Sequence, residues 1–172
     1  QAWETADAYL SGQVKRKLNA ARAAGMAQNV QALEKVIPED WTAENVAVQM
    51  GATWVPADVY AAFLEHLTGG QAKVHFSQLT NSFSAAVNGV NPAKAGQWGT
   101  EDVSTEHIVG RILNSKAVTV TRTDSNGNSY VDKEATALAG LKAREIVAEF
   151  GDWVFKDGER RQRLVGIFNE KN

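Results

Sequence analysis

Ala117-Val-Thr-Val-Thr-Arg-Thr-Asp-Ser-Asn-Gly-Asn-Ser-Tyr-Val131 decides the fold class. Its first half alternates apolar and polar residues with β-branched side chains, which suits a half-buried strand. Asp124-Ser-Asn-Gly-Asn128 supplies turn chemistry, and Ser129-Tyr-Val131 returns, so the stretch predicts a β-hairpin with a loop longer than the tightest type. Helical periodicity surrounds it. Ser104 or Thr105 caps a predicted helix bearing Ile108, Val109, Ile112 and Leu113, with Glu106 in its first turn. From Asp132 a long helix runs to about Lys156, with Leu138, Leu141, Ile146, Val147, Phe150, Trp153 and Val154 expected inward. A last helix opens on Arg160 and Arg161 after a break at Asp157-Gly158, and turns Leu164, Val165, Ile167 and Phe168 inward.

Upstream, Gly69-Gly70 divides two styles of sequence. Before it the chain reads as about four to five helices: a short one and a longer one over 4–24 broken by Ser11-Gly12, then one from Asn29 to Pro38. A short helix capped by Thr42 carries Val46, Val48 and Met50, and another starts at Pro56 with Val59, Tyr60, Phe63, Leu64 and Leu67 on one face. These last two resemble a helix–turn–helix in outline, an arrangement more common as a packing unit than as a DNA reader. After Gly70, Val74, Phe76, Leu79, Phe83, Ala85 and Val87 form a β-like pattern with a turn at Asn81-Ser82, and 87–99 reads as loop. The predicted fold is therefore α+β. A helical subdomain over 1–70 packs with an α+β subdomain over 71–172 that contains short antiparallel hairpins and a C-terminal helix pair.

The chain has 172 residues, a net charge of −2 and no cysteine. That length supports a core without staples. The absence of cysteine excludes a disulfide scaffold and a thiolate metal site. No apolar run reaches the roughly 20 residues of a membrane span, and no signal-peptide pattern appears, so the protein is expected to be cytoplasmic. Charge is uneven. Residues 1–30 carry Lys15, Arg16, Lys17 and Arg22 against Glu4 and Asp7, whereas 31–70 hold six acids against Lys35. Lys15, Arg16 and Lys17 at one end, and Arg160, Arg161 and Arg163 at the other, are the candidate nucleic-acid contacts. Solvated helix faces account for the same charges.

Signatures of catalysis are missing. The chain has no phosphate-binding Gly-x-x-x-x-Gly-Lys-Ser/Thr loop, no dinucleotide Gly-x-Gly-x-x-Gly, no nucleophile elbow and no Asn-Pro-Pro-aromatic methyltransferase motif. His66, His75 and His107 lie in different elements without zinc spacing, and the pairs Glu39-Asp40 and Glu101-Asp102 stand where helices begin. The reading assigns no catalytic, cofactor-binding or metal residue. Trp54 and Trp98 each sit in a Gly-containing connection, and either seat a partner or plug the seam between lobes.

Several stretches carry a resemblance. They are Tyr9-Leu-Ser-Gly-Gln-Val-Lys-Arg-Lys-Leu-Asn-Ala-Ala21, Asn29-Val-Gln-Ala-Leu-Glu-Lys-Val-Ile-Pro-Glu-Asp40 and Met50-Gly-Ala-Thr-Trp-Val-Pro-Ala-Asp-Val-Tyr-Ala-Ala-Phe63. Trp98-Gly-Thr100, Asn114-Ser-Lys-Ala-Val-Thr-Val120 and the closing Phe150–Lys171 block continue the set. Their order and spacing resemble the region between the methyltransferase and helicase parts of very large phage and plasmid proteins, those similar to defence-against-restriction B. The likeness covers roughly 5–172 and is weakest over 70–96. Several members read Tyr-Asn-Glu where this chain has Phe168-Asn169-Glu170, which loses a hydroxyl. The resemblance implies a non-catalytic intermediate domain, excised from a longer chain, that couples the two activities and touches duplex DNA. Its partners would be the neighbouring methyltransferase and helicase domains, with ATP and S-adenosylmethionine bound by those neighbours. The whole would be cytoplasmic or packaged in a phage particle, and would serve antirestriction, DNA modification or plasmid transfer. The alternative is a protein-docking module without nucleic-acid contact.

Overall fold

The computed structural model describes residues 46–171. By its contacts the chain divides into Gln1–Asp40 and Trp41–Asn172, and the description below belongs to the second unit. The helices expected before Asp40 and the cap at Thr42 lie outside the described residues, as do Lys15, Arg16 and Lys17. In chain order the elements are α1 (Ala57–Thr68), β1 (Gln71–Ser77), β2 (Ser82–Asn88), α2 (Pro92–Trp98), α3 (Thr105–Leu113), β3 (Thr121–Thr123), β4 (Ser129–Val131), α4 (Lys133–Trp153) and α5 (Gly158–Lys171). Each sheet is a two-stranded antiparallel hairpin, and the fold is α+β as the sequence predicts.

Helix α1 begins after Pro56 and ends at Gly69, which takes the left-handed conformation and donates its N–H to the Glu65 carbonyl. At Gly70 the chain must turn hard against β2: a Cβ there would lie 2.4 Å from the Asn88 carbonyl oxygen. The pair Gly69-Gly70 thus releases the strand from the helix. Strand β1 then pairs with β2 from Gln71↔Asn88 to Ser77↔Ser82. The turn occupies 78–81, not Asn81-Ser82, because Ser82 already pairs with Ser77. Leu79, read as a strand position, stands at the tip and is 99% exposed. Phe83 is buried, with its ring edge-on to Tyr60 and 4.8 Å from Phe76.

Two expectations fail locally. Residues 46–49 have no regular structure and Met50-Gly51 is a turn, so the helix–turn–helix outline is not formed over the described residues. The segment is drawn instead onto Tyr60, as described below. Within 87–99, read as loop, Pro92–Trp98 is a helix. The Asn91 side chain accepts from the N–H groups of Ala93 and Lys94, and Pro92 presets the first turn.

Helix α3 starts at the predicted Ser104 cap, which accepts from the His107 N–H. The second hairpin has the predicted loop: Asp124 Oδ1 accepts from the N–H groups of Asn126 and Asn128, and Gly127 has positive φ. Its paired strands are only three residues each and stand at the surface, while the buried Val118 and Val120 precede the ladder. Helix α4 is capped by Asp132 and buries Ala139, Ile146, Phe150 and Trp153. Leu138, Leu141 and Val147 are exposed, contrary to the predicted inward set. The buried residues define one stripe at 3.6-residue periodicity, and these three fall outside it. The core joins α1 (Tyr60, Phe63, Leu64, Leu67), α3 (Ile108, Val109, Leu113) and the α4 stripe, with Leu164 from α5. Among the described residues no helix is long and apolar enough to cross a membrane.

Candidate functional site

The richest constellation of charged and aromatic side chains lies where α5 meets α1 and the end of α4. Asp157 precedes α5, and its carboxylate accepts from the Arg160 N–H. The Arg160 guanidinium lies 3.6 Å from the centre of the Trp153 ring and donates from Nε to the Val154 carbonyl and from Nη2 to the Trp153 carbonyl. It therefore caps the C-terminal carbonyls of α4 while stacking on an aromatic face. Desolvation against that surface pulls its pKa below the usual guanidinium value, partly offset by Asp157, and it stays cationic. One turn on, Arg163 grips Asp58 of α1 with two parallel bonds of 2.5 and 3.0 Å. The hydrogen bond from Arg163 is the first cause that lowers the Asp58 pKa, against a partial desolvation penalty.

Of the three predicted nucleic-acid contacts on α5, then, Arg160 is committed to α4 and Arg163 to Asp58, while the Arg161 side chain is exposed. A cleft of about 240 Å³ between α1 and α5 is lined by Asp58, Asp157 and Glu159 as well as by Arg160 and Arg163. Acids outnumber bases there, so the cleft does not attract a free anion. Leu164 is the only α5 residue buried completely.

Trp54 is half-buried and meets the Phe168 ring of α5 edge-on at 5.4 Å. Trp98, at the end of α2, is half-buried against the core. Both predicted interaction residues pack on this unit itself. Beside Trp54, the Tyr60 hydroxyl donates to the Ala52 carbonyl at 2.7 Å and accepts from the Gly51 N–H at 3.0 Å. Burial drives the ionisation of Tyr60 far above the ordinary phenol range. The residues before α1 are thereby folded onto the core without a helix.

The histidines remain separate in role. His66 Nε2 lies 3.1 Å from Glu149 Oε1, and its ring stacks near Phe63 and Trp153, so it joins α1 to α4. His75 stands exposed on β1 and His107 exposed in α3. Among the described residues no group of three His, Cys, Asp or Glu converges as metal ligands would. An open cleft of about 430 Å³ beside α3 is lined by Ser104, Glu106, His107, Arg111, Asn114 and Lys116. Arg111 donates twice to the Ala117 carbonyl, which fixes the chain after α3.

Three tying residues carried no signal in periodicity. The Asn114 amide accepts from the Phe83 N–H at 2.7 Å and donates to the Phe83 carbonyl at 3.0 Å, pairing with the outer edge of β2 as a neighbouring strand would. Arg122 bridges Asp102 and Asp132 at 2.9 and 3.0 Å. Asp58 was legible only as a helix-entry acid; its partner lies 105 residues away. Asn114 does stand inside one of the segments that carry the resemblance.

The described unit is an α+β domain whose polar side chains mostly fasten its elements to one another. Residues 49–172 match the family described as a domain of unknown function (DUF8437), and the chain belongs to that family. No curated protein and no solved structure matches it.

Proposed function

We propose that this chain is a connecting, non-catalytic domain of a large DNA methyltransferase–helicase protein, coupling the two activities and meeting the DNA backbone through α5. The ordered sequence resemblance supports the context. The observation that carries the contact is the last helix, which holds Arg161 at the surface and Arg163 against a single exposed carboxylate. Arginines placed this way read phosphate without reading sequence. ATP and S-adenosylmethionine would belong to the neighbouring domains, which are the proposed protein partners.

Binding of the chain to random duplex tests this reading. Two phosphate contacts lower the affinity roughly twelvefold between about 50 and about 200 mM salt. A folded chain that binds no duplex at the lower salt sinks the contact.

One observation favours the docking alternative. Tyr130, Val131, Leu138 and Leu141 are large, apolar and about half exposed on β4 and α4. On that reading they seat a neighbouring domain of the parent chain, and association with that domain persists at high salt.

A further inference from the structure

We infer that the cleft beside α3, with His107, Arg111 and Lys116 on its wall, is a binding site for a phosphate ester, independent of the α5 contact. Ser104, His107, Arg111 and Asn114 recur at intervals of three and four residues, which puts them on one side of α3. They line the open cleft of about 430 Å³ together with Lys116, and Glu106 is the one acid among its described lining residues. Arg111 and Lys116 therefore outnumber the fixed negative charge, the reverse of the cleft between α1 and α5.

The two cations are held ready. Arg111 spends Nε and Nη2 on the Ala117 carbonyl at 2.9 and 2.7 Å, which fixes the guanidinium without neutralising it. Arg122 and Arg163, by contrast, already face carboxylates. Nη1 of Arg111 remains to donate, in the planar geometry that suits phosphate oxygens. Lys116 is exposed, and its ammonium has no ion pair among the described residues. The chain doubles back to bring it there. Ser115 has φ +55°, and the N–H groups of Ser115 and Lys116 donate to the Ile112 and Arg111 carbonyls at 3.0 and 2.8 Å. Glycine ordinarily fills that place, so the serine holds the turn under backbone strain. Asn114 fastens the same helix end to Phe83 of β2, which also fixes the cleft wall at Ala85.

The lining selects the ligand. Donors prevail: guanidinium, ammonium, imidazole, and the Ser104 hydroxyl, whose oxygen accepts from the His107 N–H. Donors from several side chains suit the oxygens of a tetrahedral anion better than the two of a carboxylate. No Phe, Tyr or Trp is among the described lining residues, so the cleft offers no such ring for a base to stack on. It is open and larger than a lone phosphate ion, which leaves room for the body the phosphate is joined to. A nucleic-acid backbone and a smaller phosphate ester share this chemistry.

The test titrates the whole chain with inorganic phosphate, and separately with acetate, at fixed ionic strength, and follows backbone amide and arginine Nε signals by NMR. Random-duplex affinity is measured against salt in parallel, for the wild type, Lys116→Gln and Lys116→Arg. Neither substitution removes an internal side-chain bond, so the fold is kept. Phosphate is expected to shift the Arg111 Nε signal and the 104–107 amides saturably, and acetate is not. Lys116→Gln weakens phosphate about three- to tenfold, and Lys116→Arg restores it. A nucleic-acid occupant is shown by a duplex salt slope that falls by about one in Lys116→Gln, whereas an unchanged slope assigns the smaller ester. Phosphate shifts that do not saturate, or a Lys116→Gln variant that binds phosphate as tightly as the wild type, overturn the site. Equal saturation by acetate overturns its preference for phosphate. Duplex binding absent throughout, with phosphate still saturating at Arg111, sinks the α5 contact and leaves this site standing.

Discussion

Replacing Tyr60 with phenylalanine isolates the force that holds the segment before α1. The ring stays, so its packing against Phe83 and Phe150 is kept, and only the hydroxyl is lost. That hydroxyl makes two good bonds, to the Ala52 carbonyl and from the Gly51 N–H. Each such bond contributes about 1 kcal/mol net, and a stranded buried peptide group costs up to about 3 kcal/mol. Gly51 and Ala52 are only half-buried, so water reaches the freed groups and the lower end applies. The expected loss is about 1–2 kcal/mol, a fall in Tm of roughly 2–8 °C for a chain of this size.

The same residue sets an alkaline limb. Its folded pKa is raised well above the unfolded phenol value of about 10. This contribution is therefore complete below about pH 10 and is lost progressively above it, because only the unfolded chain releases the proton there. Tyr60→Phe should flatten that limb while lowering stability near neutrality. Urea unfolding from pH 7 to about 11 measures both effects. A neutral-pH loss under about 0.3 kcal/mol, or an unchanged alkaline slope, refutes the assignment.

Further outcomes follow from the same contacts. Asn114→Ala removes the paired bonds to Phe83 and a third to the Gly110 carbonyl, and should cost roughly 2–3 kcal/mol in urea unfolding. Asn114→Asp keeps the acceptor, loses both donations and should recover less than half of that. Arg160→Lys keeps the charge but loses the planar stack and the forked donation, so amide exchange at the start of α5 should accelerate with a global loss of about 1 kcal/mol.

Most of the element order was legible because it rests on local chemistry. The Asp124–Asn128 loop, the Ser104 cap and the Gly69-Gly70 stop are short-range signals, and each does in the structure what the sequence suggests. The failures share a cause. Val46, Val48 and Met50 fit a helical pattern, yet a phenol eleven residues or fewer away captures the backbone of Gln49, Gly51 and Ala52 in another form. Pro92–Trp98 is helical on the strength of one cap, which a Gly-rich composition hides. The exposed side of α4 misled because apolar identity was taken for burial, although Leu138 and Leu141 lie off the stripe set by Ile146 and Phe150. At the candidate site, the Arg160–Arg163 run was legible as charge. Its partners, Trp153 and Asp58, are matters of tertiary placement that no local pattern encodes.

The Asn114 amide has a consequence for colloidal behaviour. A two-stranded hairpin offers backbone on both sides to any stray extended chain, and Phe83 is an aromatic centre where such templating would be dangerous. By occupying both peptide groups of Phe83, one side chain breaks the row of free donors and acceptors that a growing aggregate would copy. The guard comes from a residue 31 positions later, so a nascent chain exposes that edge until α3 has been made and docked. Slowed synthesis between Phe83 and Asn114 therefore lengthens the interval in which the peptide groups of Phe83 are left without that partner.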